Sequence, residues 1–340
     1  MKTSVKQLLL CPVVAGLLSV IGGASAAEGK ERSIKLSDVT AKASPYGLGV
    51  DKFAELAAKK SDGKIKVKGY SDGQLGGEVQ SISAAQGGVI EMSLVSTAAV
   101  SGNVKEFALF DFPFLFSTEK EVYTVLDGPV GTQLLNKLPD KGVVGLCYWE
   151  VGFRHVTNSK HPVTKLEDFR GLKIRTIQNP VFVDVFNTLG ANATPMAFPE
   201  VYQALESKAL DGQETPYNVI FTSKLYEVQK YLSATKHIYG PGVILVSKKF
   251  WDPLSADEKK ILQESCAEAR DYERKVSHDL DARVLGEMKA KGLVFNEIAP
   301  AELARMREKV KPVIEKFTAV VGADLVKQAY AEIERAKSQK

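Results

Sequence analysis

The chain predicts an α/β fold of two domains, each a sheet covered by helices, with a long helix bridging both. Three observations carry this. Apolar alternation of period two repeatedly gives way to apolar spacing of three and four, the rhythm of strands joined by crossover helices. The 340 residues, 44% hydrophobic and 25% charged, supply enough apolar surface for one large or two medium domains with proper cores. The chain also changes domain more than once with no Gly/Ser/Pro-rich linker, which implies a cleft that closes by bending short connections.

Residues 1–26 stand apart. Lys2 and Lys6 precede an apolar stretch from Leu8 to Ile21, and Ala24-Ser25-Ala26 supplies small residues for signal peptidase, so this reads as a secretory signal cleaved near Ala26. The stretch falls short of the roughly 20 apolar residues that span a bilayer, and charged sequence follows from Glu28. Cys11 sits behind Leu10 where lipidation wants a small residue. The product is expected in an exported, oxidising compartment. Losing Lys2 and Lys6 lowers the formal charge from +4 to about +2, too little for a nucleic-acid-binding field.

Ser33 to Val39 alternates as a strand, and Val50, Phe53, Leu56 and Ala57 follow at helical spacing before the turn Ser61-Asp62-Gly63. Lys64 to Tyr70 is the next strand; the turn Gly73 to Gly77 and a helix lead to a strand at Ile90 to Val95, implying a mainly parallel sheet. Gly142 to Glu150 is a continuous apolar strand. The crossing falls near Val151, and Gly152 to Asn158 opens the second set of units. Short strands follow at Lys173 to Thr176, Leu210 to Gln213 and Tyr231 to Thr235, separated by helices at Val181 to Leu189, Pro199 to Glu206 and Pro216 to Tyr226. Val243 to Ser247 returns to the first domain. Ser255-x-x-Glu258 caps a long helix with Leu262, Cys266, Ala269, Val276, Leu280, Val284 and Met288 on one face, and Pro300 starts a last helical region. This gives a first domain of 27–151 plus 241–280 and a second of 152–240 plus 281–340.

Beyond the signal, only Cys147 and Cys266 remain. One disulfide is arithmetically possible, but both lie at apolar positions, and two free buried thiols are the favoured reading.

Catalytic signatures are weak. Gly69-Tyr70-Ser71-Asp72-Gly73 fits the G-x-S-x-G nucleophile elbow and follows a strand, but more glycines intervene before any helix. Ser61-x-x-Lys64 and Ser117-x-x-Lys120 have serine–lysine spacing in the wrong settings, a turn and a helix cap, and lack partner motifs. His155, His161, His237 and His278 show no metal-ligand spacing, so no metal is expected. Gly47-x-Gly49 has Lys52 where a third glycine belongs, and nucleotide cofactors have no support. Two arginines are better placed. Arg154 opens the second domain, and Arg175 closes the strand Gly171 to Arg175, at the strand end where open α/β sheets bind ligands and where a guanidinium matches a carboxylate.

Gln74-Leu75-Gly76, Gly152-x-Arg154, Gly171-Leu172-Lys173-Ile174-Arg175, Pro195-Met196-Ala197-Phe198-Pro199-Glu200-Val201-Tyr202, Asp211-Gly212-Gln213-Glu214 and Tyr226-Glu227-Val228-Gln229-Lys230 occur in order over nearly all the chain beyond the signal. In this the chain resembles the dicarboxylate-type solute-binding proteins of tripartite ATP-independent periplasmic (TRAP) transporters. The resemblance implies a periplasmic-binding-protein fold around a ligand cleft and a monomeric receptor. Such a receptor captures a small organic acid and delivers it to membrane permease subunits driven by a sodium gradient. It further implies Arg175 as the main salt bridge to the ligand carboxylate, Arg154 as a second contact, Phe198 as the aromatic packed on the ligand, and Glu78 as a first-domain polar contact. After Asp-Gly-Gln-Glu, where many members carry a ligand-contacting asparagine, this chain has Thr215, followed by Pro216 and Tyr217, and Thr215 and Tyr217 are the candidate ligand contacts of this segment. Thr215 keeps a hydroxyl but loses the amide's paired donor and acceptor. Trp149 and Glu150, at the end of the crossing strand, fall within reach of the cleft, with domain packing the alternative for Trp149. The reading from a different class is a secreted serine hydrolase using Ser71.

Overall fold

Strands and helices alternate along the chain and sort into two separate sheets. The structure is a computed structural model that describes residues 30–338, so the signal expected at 1–26 lies outside the described residues. The first half gives β1 (Arg32–Ser37), α1 (Pro45–Lys60), β2 (Ile65–Tyr70), α2 (Glu78–Gly87), β3 (Met92–Ser96), α3 (Thr97–Val100), α4 (Glu119–Leu126) and α5 (Pro129–Leu135). The chain crosses along β4 (Val143–Phe153) and β5 (His155–Asn158) into β6 (Lys173–Thr176), α6 (Pro180–Leu189), β7 (Asn192–Pro195), α7 (Val201–Glu206), β8 (Gly212–Thr215), α8 (Tyr217–Thr222) and β9 (Tyr231–Ala234). It returns along β10 (Tyr239–Ser247) and ends with α9 (Lys248–Trp251), α10 (Ala256–Ala290), β11 (Val294–Glu297), α11 (Pro300–Val321) and α12 (Ala323–Ser338).

The first sheet has the order β2-β1-β3-β10-β4 and the second β11-β9-β5-β8-β6-β7. Parallel pairing holds for β1 with β2 and β3, where Leu36 lies opposite both Gly69 and Met92. The whole first sheet is mixed, however. β10 arrives from the second half and inserts antiparallel between β3 and β4, a partner that local periodicity cannot show. β7 and β11 went unread for a different reason: each is a short edge strand with no buried position, so neither alternates between a buried and an exposed face.

Local chemistry fixes the helix ends. The Ser44 hydroxyl caps α1 by accepting from Gly47 N at 3.2 Å, with Pro45 in the first turn. Ser255 and Glu258 form the expected reciprocal capping box on α10.

That helix spans 35 residues and serves two cores. Leu262, Cys266 and Ala269 pack with Val50, Phe53, Leu94 and Trp149 over the first sheet. Leu280, Val284 and Met288 pack with Val201, Ile220 and Leu232 over the second. Each fully buried leucine or valine contributes about 1.5–3 kcal/mol, so both halves of the helix are anchored independently. α12, expected with the second domain, packs on α4 and α5.

The cysteine reading is corrected. Cys147 on β4 and Cys266 on α10 form a disulfide, with Cα atoms 6.2 Å apart. A buried thiol and a buried disulfide leave the same apolar sequence pattern; only the packing of α10 across β4 brings the two sulfurs together.

Candidate functional site

Strand ends from both sheets converge on one cavity of about 40 Å³, the arrangement in which open α/β sheets hold ligands. Thr40, just beyond β1, Ser96, at the end of β3, and Glu78, opening α2, line it from the first sheet. Arg175 on β6 and Thr215 ending β8 line it from the second, with Phe198 beside them.

Arg175 is 2% exposed, and its Nε and Nη2 donate to one acceptor, the Met196 carbonyl, at 3.0 and 2.7 Å. Its guanidinium carbon stands 5.6 Å from the centre of the Phe198 ring. Among the described residues no carboxylate lies within ion-pair distance of it. Burial pulls the group down to about 10, with the fields of Glu214, Glu78 and Glu200 working the other way. A cation removed from water with no bonded anion is costly, and an anionic guest would offset that cost.

Arg154 differs although it lines the same cavity. Its Nε and Nη2 fork onto the carboxylate of Glu214, and Nη2 also donates to the Glu214 carbonyl at 2.7 Å. Glu214 is fully buried and sits 3.2 Å from His237 Nε2. Burial raises its pKa, but Arg154 and His237 outweigh that and hold the carboxyl below its usual range. The charge of Arg154 is therefore already neutralised by protein; only Nη1 has no partner among the described residues.

Glu78 is half-buried and oriented by Ser96, whose N–H reaches Oε1 at 2.5 Å and whose hydroxyl reaches Oε2 at 2.9 Å. Tyr46, on the first turn of α1, also lines the cavity; it is 4% exposed and its hydroxyl has no partner. Sequence reading missed Tyr46 and Ser96, although Ser96 stands where β3 gives way to α3, a position that could have marked it; Tyr46, in the first turn of α1, carried no such signal.

Two expected residues lie elsewhere. Trp149 is fully buried behind Tyr46, edge-on at 6.4 Å, and does not line the cavity. Tyr217 stacks on His155 at 4.0 Å in a separate crevice of about 640 Å³ on the side of α10. There Glu150 accepts from Tyr239 at 2.7 Å and from Tyr123, with His278 Nε2 at 3.5 Å. That crevice is larger, but its lysine, Lys236, already donates to the Ser117 carbonyl at 2.8 Å and lies over Phe153, so the smaller cavity holds the exceptional charge.

Ser71 is bonded to a carboxylate and not to a histidine. Its hydroxyl donates to Asp38 at 2.8 Å, and Asp38, pushed up to about 6 by burial, is also held by Thr40. Among the described residues no histidine bonds to Ser71, so the serine–histidine pairing that the elbow motif calls for is not formed there. No group of three or more potential metal ligands occurs among them either.

The family described as bacterial extracellular solute-binding protein, family 7 (DctP), matches residues 36–319. A crystal structure of the sugar acid binding protein DctPAm from Advenella mimigardefordensis, in complex with galactonate, is 44% identical. It superposes with a TM-score of 0.89 over 90% of this chain and 99% of that one. The 2,3-diketo-L-gulonate-binding periplasmic protein YiaO of Escherichia coli is 36% identical over 280 residues, 82% of this chain and 84% of its own. The C4-dicarboxylate-binding periplasmic protein DctP of Rhodobacter capsulatus is 36% identical over 304 residues, 88% of this chain and 91% of its own. With two α/β halves, a bridging helix and a cleft at the strand ends, the chain belongs to the DctP family of TRAP transporter solute-binding proteins.

Proposed function

We propose that the protein is a periplasmic receptor that captures a small organic carboxylate, whether a C4-dicarboxylate, a hydroxy or keto acid or a sugar acid, and hands it to membrane permease subunits. Arg175 anchors the ligand carboxylate by a salt bridge, Phe198 packs against the ligand, and Glu78, Thr215 and the free nitrogen of Arg154 complete the polar contacts. The role is binding without covalent chemistry, by a monomer exported after cleavage near Ala26. The moving bodies divide near Val151, between β9 and β10, and within α10, with α12 riding on the first.

The observation that supports this most directly is Arg175, a buried cation bonded to one backbone carbonyl in a cavity between two sheets. Capture neutralises it as the cleft closes. Micromolar affinity needs only about −8 kcal/mol, within reach of one bidentate salt bridge and a few hydrogen bonds. The test is calorimetric titration of protein refolded from denaturant to strip carried ligand. Arg175→Ala is expected to weaken binding of a carboxylate by at least about tenfold; unchanged affinity removes Arg175 as the anchor.

A further inference from the structure

We infer that the cleft selects polyhydroxylated monocarboxylates and rejects the dicarboxylates of the same carbon skeleton, with Glu78 as the residue that excludes a second carboxylate and Tyr46 as a reader of ligand hydroxyls. The inference rests on the receptor reading above and narrows its ligand class.

It follows from charge placement. The cations that line the cavity are Arg154 and Arg175, and Glu214 occupies Arg154 with a forked pair, leaving one cation without an anion. One ligand carboxylate satisfies it. The opposite wall presents no cation: it offers the Glu78 carboxylate, the Ser96 and Thr40 hydroxyls and the Tyr46 phenol. Glu78 is held as an acceptor by two donors from Ser96, one on each oxygen, and its remaining lone pairs can take only donors. Thr40 is already engaged with Asp38 and Ser44. The Tyr46 hydroxyl, by contrast, is buried against Gly242 with no partner, and a side chain at position 242 would collide with it. An unpaired buried hydroxyl costs free energy until a guest supplies the partner.

A ligand hydroxyl suits this wall, since it donates to Glu78 and accepts from Tyr46 with the same oxygen. A carboxylate in that place accepts from Tyr46 but has no proton for Glu78, and two carboxylates share a site only if one takes up a proton. The charge sum agrees. With Arg154 taken by Glu214, a monoanion on Arg175 leaves no ligand charge unpaired, whereas a dianion brings a second charge that meets no cation and faces Glu78. Buried like charges of this kind are a means of rejecting near-identical ligands.

Matched pairs isolate the second carboxylate: erythronate against meso-tartrate, and galactonate against galactarate, each differing only in oxidation of the terminal CH₂OH. With refolded wild-type protein near neutral pH, calorimetry is expected to show at least one hydroxy monoacid binding about thirtyfold or more tighter than its diacid. Glu78→Gln, which keeps an acceptor oxygen for Ser96, should narrow that gap by about tenfold, and Tyr46→Phe should weaken the monoacid several-fold without helping the diacid. Comparable binding of both members of each pair in the wild type overturns the inference while leaving the receptor reading intact. So does tight binding confined to succinate or tartrate. If no acid of the panel binds, both fall. Ligand-free melting of each variant checks folding, and the wild-type ratio stands as the test even if a variant unfolds.

Discussion

Arg154 and Arg175 line one cavity, yet their removal should have unequal effects on folding. Arg154→Ala strands Glu214, fully buried beside a histidine whose own pKa burial pushes down, and breaking such a pair costs about 3–5 kcal/mol. Arg175→Ala removes a desolvated cation with no ionic partner and should leave ligand-free stability nearly unchanged while abolishing tight binding. Urea denaturation of both variants checks this, and equal destabilisation would contradict the division of labour. The sequence marked both arginines by their places at a domain crossing and a strand end. It could not separate them, because Glu214 is 60 residues from Arg154 in the chain and only the antiparallel pairing of β5 with β8 brings them together. The two readings of Trp149, cleft contact and domain packing, stayed open in the sequence for a similar reason: alternation along β4 gives its face of the sheet but not that Tyr46 packs edge-on against it.

At the scale of elements, α10 ties the halves together and two of its attachments are testable. The Cys147–Cys266 bond closes a 119-residue separation between β4 and the first half of the helix, and Cys147→Ser with Cys266→Ser should lower stability by about 2–5 kcal/mol, read as a lower melting temperature that reductant no longer changes. Farther along, Asp281 accepts from Asn218 N at 2.9 Å, at the start of α8. Burial pushes its carboxyl up to about 7, with Glu150 adding repulsion and the Asn218 N–H working the other way. The unfolded value is near 3.9, so the native state holds this proton more tightly. The penalty on folding is complete above about pH 7 and disappears as pH falls toward about 4. Asp281→Asn keeps an oxygen for Asn218 and should raise the melting temperature at about pH 8 but not at about pH 4. A gain independent of pH would point to packing instead. The length, cap and apolar face of α10 were all legible in sequence, since each is local. Its partners were not.

For the whole molecule, the two halves and the bridging helix could be read because strands and helices of ordinary length keep their period. What escaped is what depends on direction of travel: β10 entering antiparallel, α12 folding back onto α4 and α5, and the edge strands β7 and β11. The cleft itself is a product of the fold, since it joins residues from Thr40 to Thr215 that no local pattern connects. If capture closes that cleft, solution scattering should give a smaller radius of gyration with saturating ligand, and an unchanged radius would oppose closure. The central claim is that one uncompensated guanidinium, Arg175, recognises one carboxylate. Its most direct test is calorimetric titration of refolded wild type and Arg175→Ala with galactonate and its neutral amide, galactonamide. The account predicts that wild type binds the acid at least about tenfold tighter than the amide and that the variant loses the difference; equal binding of acid and amide by the wild type, or a preference that survives in the variant, would contradict it.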